Sequence, residues 1–114
     1  MIELVGLKNC DSCRNARKWL DAEDIVYQFR DIRDAPPSTD ELQHWLSRVG
    51  PDQLINRRST TWRQLSEVDR AQAAQPHAAE LLHANPTLIK RPVIINGSSV
   101  TVGFIADVKQ ACRD

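Results

Sequence analysis

With 114 residues, 41% of them hydrophobic, the chain is one domain's length of sequence and can bury a core without disulfide scaffolding. Its 15 basic residues balance its 15 acidic ones, so no global field argues for nucleic acid or an anionic membrane as a direct partner. No apolar run reaches the length of a membrane span and the first residues lack a signal-peptide pattern, so a reducing, cytoplasmic location is expected, with a monomer as the default.

Met1 to Leu7 reads as a strand, with Ile2, Leu4 and Val5 supplying apolar surface. The pattern turns helical from about Cys10 to Glu23, where Ala16, Trp19 and Leu20 fall at i, i+3, i+4 spacing. Ile25 to Ile32 reads as a second strand through the alternation of Ile25, Tyr27 and Phe29. A strand–helix–strand unit of this length predicts a parallel pair joined by a right-handed crossover.

Pro36-Pro37 break the chain, and Ser38-Thr39-Asp40-Glu41 is a capping box. The helix it opens carries Leu42, Trp45, Leu46 and Val49 and stops near Gly50-Pro51. Ser66 with Asp69 offers a weaker cap for a short helix, and Pro76 opens another that buries Ala78, Leu81 and Leu82 and ends before Pro86. A helical block of roughly 38–85 therefore separates two β-rich parts. Pro92-Val93-Ile94-Ile95 reads as a strand, Asn96-Gly97 as a type I′ hairpin turn, and Ser99 to Val102 as the antiparallel return. A last helix from Phe104 is expected to bury Phe104, Ile105, Val108, Ala111 and Cys112.

The chemistry concentrates in Lys8-Asn9-Cys10-Asp11-Ser12-Cys13-Arg14, where the first strand gives way to the first helix. A C-x-x-C at such a junction points to thiol chemistry. A cysteine at a helix N-terminus faces unpaired N–H groups and the positive end of the dipole, and both lower its pKa, as do nearby cations. Arg14, Arg17 and Lys18 form a basic stripe on the helix, and Lys8 adds a charge on the other side. Cys10 is thus the expected nucleophile and Cys13 the resolving thiol. Two other readings stand beside this one. Half a zinc site needs a second pair of ligands, which Cys112, His44, His77 and His83 do not form, so no metal is expected. Cysteines also serve as small buried residues.

The order β-α-β, helices, β-β-α around a C-x-x-C describes an α/β, thioredoxin-like fold with a mixed sheet and a helical insert, in a single domain spanning residues 1–114. The strand after the insert starts at Pro92, where that architecture usually carries a cis proline facing the active-site cysteines. Arg91 directly precedes it, and a guanidinium there can hold a carboxylate or oxyanion bidentately. Asn9 either shapes the loop ahead of Cys10 or bonds its sulfur.

The chain resembles the arsenate-reductase-related family that includes ArsC, Spx and YffB. The matching stretches are Lys8-Asn9-Cys10 with Arg14, Arg58-Ser59-Thr60-Thr61-Trp62-Arg63-Gln64-Leu65, Ile89-Lys90-Arg91-Pro92-Val93, and Gly103-Phe104. The wording is most similar to YffB-like proteins. The resemblance implies an active cysteine at Cys10 supported by Arg58 and Arg91. It implies a thiol–disulfide oxidoreductase with no tightly bound cofactor, in which Cys13 or glutathione as co-substrate resolves the intermediate and Lys8, Asn9, Arg14, Arg58, Arg91 and Pro92 surround the substrate. Two alternatives come with it: an arsenate reductase linked to glutathione and glutaredoxin, and a redox-switched regulator that binds the C-terminal domain of the RNA polymerase α-subunit. Three arginines surround the single cysteine of ArsC-type enzymes. Here Asn56 stands where the first of them is expected, and Cys13 adds a second thiol.

Overall fold

The computed structural model describes residues 2–74 and 77–103. It has two units, one holding the chain up to Ala35 and again from Arg91, the other Pro36–Lys90.

In the first unit, β1 (Ile2–Gly6), α1 (Asp11–Ala22) and β2 (Tyr27–Asp31) form the strand–helix–strand element, and β3 (Val93–Asn96) and β4 (Ser99–Val102) complete a four-stranded sheet in the order β2-β1-β3-β4. β1 runs parallel to β2 and antiparallel to β3, which is antiparallel to β4. This is the mixed sheet of a thioredoxin-like α/β fold. Ile2, Leu4 and Ile94 from the sheet meet Ala16 and Leu20 from α1, with Trp19, Ile25, Tyr27 and Phe29 packed around them. The i, i+4 spacing of Ala16 and Leu20 turns one stripe of α1 onto the sheet. Asp24 ends the helix in a left-handed conformation (φ 56°), which the short polar side chain of an aspartate tolerates. Ile25 N–H then donates to the Leu20 carbonyl at 3.0 Å, and the chain turns into β2.

The hairpin differs from the sequence expectation by one residue. Asn96 pairs with Ser99, so the loop is Gly97-Ser98 and not Asn96-Gly97. Gly97 alone has positive φ (63°) there, the pattern of a type II′ turn with glycine at its first central position. Ile94 is buried, opposite Thr101; moving a two-residue loop by one position shifts the pairing by two residues and leaves every side chain on its face, so the alternation of the strands does not distinguish the two turns. The Arg91–Pro92 peptide is cis, Pro92 is buried, and its carbonyl accepts the Gly103 N–H at 2.9 Å. The expected last helix, with Phe104 and Cys112, lies outside the described residues.

The second unit is helical. α2 (Thr39–Val49) opens on the capping box, in which Ser38 Oγ accepts the Glu41 N–H at 3.1 Å and Glu41 Oε1 accepts the Ser38 N–H at 3.2 Å. Gly50 (φ 81°) ends it, but Pro51 does more than stop the chain: it is the first residue of α3 (Pro51–Leu54), a position where the missing N–H is harmless. α4 (Thr60–Gln64) is capped by Ser59, α5 (Glu67–Ala71) by Ser66, and α6 (Ala78–Ala84) runs into a 3-10 turn at Pro86–Leu88. α3, α4 and the 3-10 turn are too short to show a hydrophobic period, which is why the sequence pattern passes over them. Leu42, Trp45 and Leu46 of α2 are buried, as are Ala78, Leu81 and Leu82 of α6, and the two helices pack together. Pro76 lies outside the described residues.

Candidate active site

β1 ends at Gly6, and the next four residues form a tight turn in which the Cys10 N–H donates to the Leu7 carbonyl at 3.3 Å. The Arg14 N–H donates to the Cys10 carbonyl at 2.9 Å, which makes Cys10 the N-cap of α1 in an extended conformation. This position is usually held by Ser, Thr, Asp or Asn. Cys13, one turn on, faces inward and is fully buried, whereas Cys10 is half-buried, and both are free thiols.

The two sulfurs have opposite acidities. Partial burial opposes ionisation of Cys10, but the Cys13 N–H, the Cys13 thiol as donor, the Ser12 N–H and the Arg91 charge outweigh it. Its pKa therefore lies below the ordinary thiol value. Its sulfur closes no full capping hydrogen bond; the helix N–H groups directed at it favour the anion all the same. Burial pushes Cys13 up to about 11, against the pull of the Leu7 N–H, and the neighbouring Cys10 charge pushes the same way. Of the two sulfurs, Cys10 therefore gives up its proton first and the buried Cys13 keeps its own.

Cys10 opens onto a cleft of about 370 Å³. Leu7, Lys8 and Asn9 line it from the loop, Arg91 from the start of β3, and Asp31, Arg33 and Asp34 from the end of β2. The Arg91 Nη1 is buried with no hydrogen-bond partner among the described residues. Arg91 itself lines the cleft, and a guanidinium beside a thiol is a group that can bind an anionic ligand.

The sequence-predicted residues separate on this geometry. Lys8, Asn9, Cys10 and Arg91 come together at the cleft. The basic stripe on α1 does not supply the cation expected beside the thiol. Arg14 pairs with Asp11 on the exposed face of the first turn, and Arg17 stacks over the Phe29 ring at 4.4 Å with its Nε 3.5 Å from the Tyr27 hydroxyl. Arg91 is the cation that reaches both sulfurs. Arg58 belongs to the second unit, where its N–H donates to Asn56 Oδ1 at 3.0 Å and its side chain lines a separate cleft with Asp52, Asn56, Arg57 and Lys90. Pro92 is buried ahead of β3. Among the described residues no cluster of three or more His, Cys, Asp or Glu is arranged to hold a metal ion, and no helix is long and apolar enough to cross a membrane.

Sequence reasoning missed Asp31, Arg33 and Asp34. A signal existed: in a parallel strand–helix–strand unit, ligands gather where the carboxyl ends of the strands lie together, and Asp31 pairs directly with Gly6.

Comparison with known proteins agrees with the fold. The ArsC family model matches residues 5–112. An uncharacterised protein of Haemophilus influenzae is 38% identical over 104 residues, covering 91% of each chain. The global transcriptional regulator Spx of Listeria innocua is 38% identical over 109 residues, covering 94% of this chain and 82% of its own. Among solved structures, a YffB protein is 36% identical with a TM-score of 0.92 and 98% coverage of both chains. An arsenate reductase (ArsC) related protein from Brucella melitensis is 35% identical with a TM-score of 0.77, covering 96% of this chain and 92% of its own.

Proposed function

Since this chain belongs to the ArsC family, we propose that it is a cytoplasmic thiol–disulfide oxidoreductase with Cys10 as its nucleophile and Cys13 or glutathione as the resolving thiol. One observation carries the reading: two cysteines a helical turn apart, one held toward its thiolate and the other held protonated beneath it.

The Cys10 thiolate attacks one sulfur of a substrate disulfide. That S–S bond breaks, a mixed disulfide forms on Cys10, and the other half leaves as a thiolate that takes a proton from solvent. The loss of the Cys10 charge removes part of what holds Cys13 protonated. Cys13 then gives up its proton and attacks the Cys10 sulfur, releasing the second thiol and leaving a Cys10–Cys13 disulfide that carries the two oxidising equivalents. Two glutathione molecules, themselves oxidised to the disulfide, restore the dithiol; where glutathione attacks the mixed disulfide first, Cys13 is bypassed. Arg91, which lines the cleft beside Cys10, binds the anionic part of the substrate, and Lys8 and Asn9 flank it.

The test is turnover of a glutathione mixed disulfide. Cys10→Ser abolishes it, and Cys13→Ser without added thiol stops at an adduct visible by intact mass. Full turnover by Cys10→Ser sinks the assignment. A second reading is favoured by the 38% identity to proteins named Spx: a redox-switched regulator that binds the C-terminal domain of the RNA polymerase α-subunit. Capture of that domain by only one redox form supports the regulator; equal or absent capture removes it. Arsenate reduction coupled to glutathione and glutaredoxin has less behind it, because Asn56 stands where the first of the three arginines is expected.

A further inference from the structure

Catalysis as described does not use Asp31, yet both oxygens of its carboxylate accept backbone N–H groups. Asp31 Oδ1 accepts the Arg33 N–H at 2.8 Å and Oδ2 accepts the Lys8 N–H at 3.1 Å. Its carbonyl accepts the N–H groups of Asp34 at 3.1 Å and Ala35 at 2.9 Å. As the partner of Gly6 across the parallel pair, this one residue joins the end of β1, the end of β2 and the turn that leads to the nucleophile. Lys8 is the second residue of that turn, and the bond that closes it, Cys10 N–H to Leu7 O, is long at 3.3 Å. A turn closed so weakly takes its shape from what holds it outside. The Lys8–Asp34 ion pair is exposed at both ends and contributes little. The Leu7 N–H is directed at Cys13 and the Ile32 N–H donates to the Gly6 carbonyl at 2.9 Å, which fix the start of the turn; at its second residue the backbone hold is the Asp31 carboxylate on the Lys8 N–H.

On the reading that Cys10 is the nucleophile, we propose that Asp31 is a positioning residue for it. By fixing the Lys8 N–H, its carboxylate sets the turn that delivers the Cys10 sulfur to the N-terminus of α1 and to Arg91. Asp31 is suited to this role because the Arg33 N–H above all, and then the Lys8 N–H and the two side-chain cations, hold its carboxyl below the ordinary value against desolvation. The clamp therefore stays charged wherever the thiol titrates.

Position and bare charge predict opposite signs. A carboxylate acting only as a nearby negative charge raises the thiol pKa, so removing the charge lowers it. A carboxylate acting through the turn lowers the thiol pKa, so losing it raises the value. Cys13, Arg91, Lys8, Arg33 and Asp34, the titratable groups that act on Cys10 or line its cleft with Asp31, are the same in every variant used.

The experiment follows iodoacetamide alkylation of Cys10 against pH in the full chain by peptide mass spectrometry, with the urea midpoint recorded for each protein. The variants are Asp31→Asn, which keeps the shape and loses the charge, and Asp31→Glu, which keeps the charge and changes the reach. The wild-type profile first tests the foundation: an inflection at the free-thiol value of about 8.5 removes the nucleophile reading itself, whatever Asp31 does. With a lower wild-type inflection, both variants should move it upward, each pH unit appearing as about tenfold slower alkylation at pH values below it. A downward move in Asp31→Asn, or an unchanged profile in either folded variant, overturns the positioning role. Loss of urea stability with no change in the profile is the mark of a merely structural residue and overturns it equally.

Discussion

Gly6→Ala measures how tightly the buried thiol is seated. Gly6 is not one of the residues with positive φ, so alanine fits the backbone, and by narrowing the unfolded ensemble it would stabilise the chain by about 0.4–1 kcal/mol. The side chain is the difficulty. A β-carbon at position 6 overlaps Cys13 Sγ and lies 3.4 Å from Cys13 Cβ, and Cys13 is fully buried with no exposed surface to turn toward. Overpacking of this kind costs about 1–3 kcal/mol. After the unfolded-state gain, a net loss of roughly 0–2.6 kcal/mol remains, which a urea titration reads as a midpoint lower by up to about 1 M. The decisive comparison is the same substitution in a Cys13→Ala background. There the overlapping atom is gone, so Gly6→Ala should be neutral or stabilising, with a coupling of about 1 kcal/mol or more between the sites. An equal penalty in both backgrounds would refute the clash as its source.

Two further outcomes follow from the same site. Arg91→Met should raise the Cys10 alkylation inflection, since it removes a cation acting on the thiol; a lower or unmoved inflection contradicts the role given to Arg91. Because Cys13 stays protonated up to about 11 in the folded chain while the unfolded thiol ionises near about 8.5, the stability it contributes is complete below that lower value and is lost as pH rises toward the higher one. Urea midpoints between those limits should fall more steeply for the wild type than for Cys13→Ala, and parallel curves would count against the buried thiol.

Much of the arrangement was legible from local chemistry. The C-x-x-C at the strand-to-helix junction located the N-cap cysteine because helix starts are set by a few residues in sequence. The Ser38–Glu41 capping box marked the start of α2 for the same reason. What escaped depended on contacts distant in sequence. The carboxylate that clamps Lys8 lies 23 residues away, and no local pattern announces it. Arg14 looked like a partner for the thiol by its spacing, but Asp11 lies closer on the helix surface and takes it. The hairpin loop stands one residue on from Asn96-Gly97, because both turns leave the same side chains on the same faces and the strand pattern does not separate them. Pro51 reads as a stop signal and is also a start signal, and only the structure separates the two uses.

The choice of a cysteine as the N-cap of α1 has a thermodynamic consequence. Whatever free energy favours the Cys10 anion at the helix terminus exists only while the sulfur is free, and it vanishes when the sulfur enters any disulfide. The helix therefore favours the reduced form of every couple in which Cys10 takes part, raising that couple's reduction potential by about 30 mV for each tenfold of added stability. In the proposed cycle that effect works toward easy reduction by a thiol pool and raises the strength of the oxidant needed to close the disulfide.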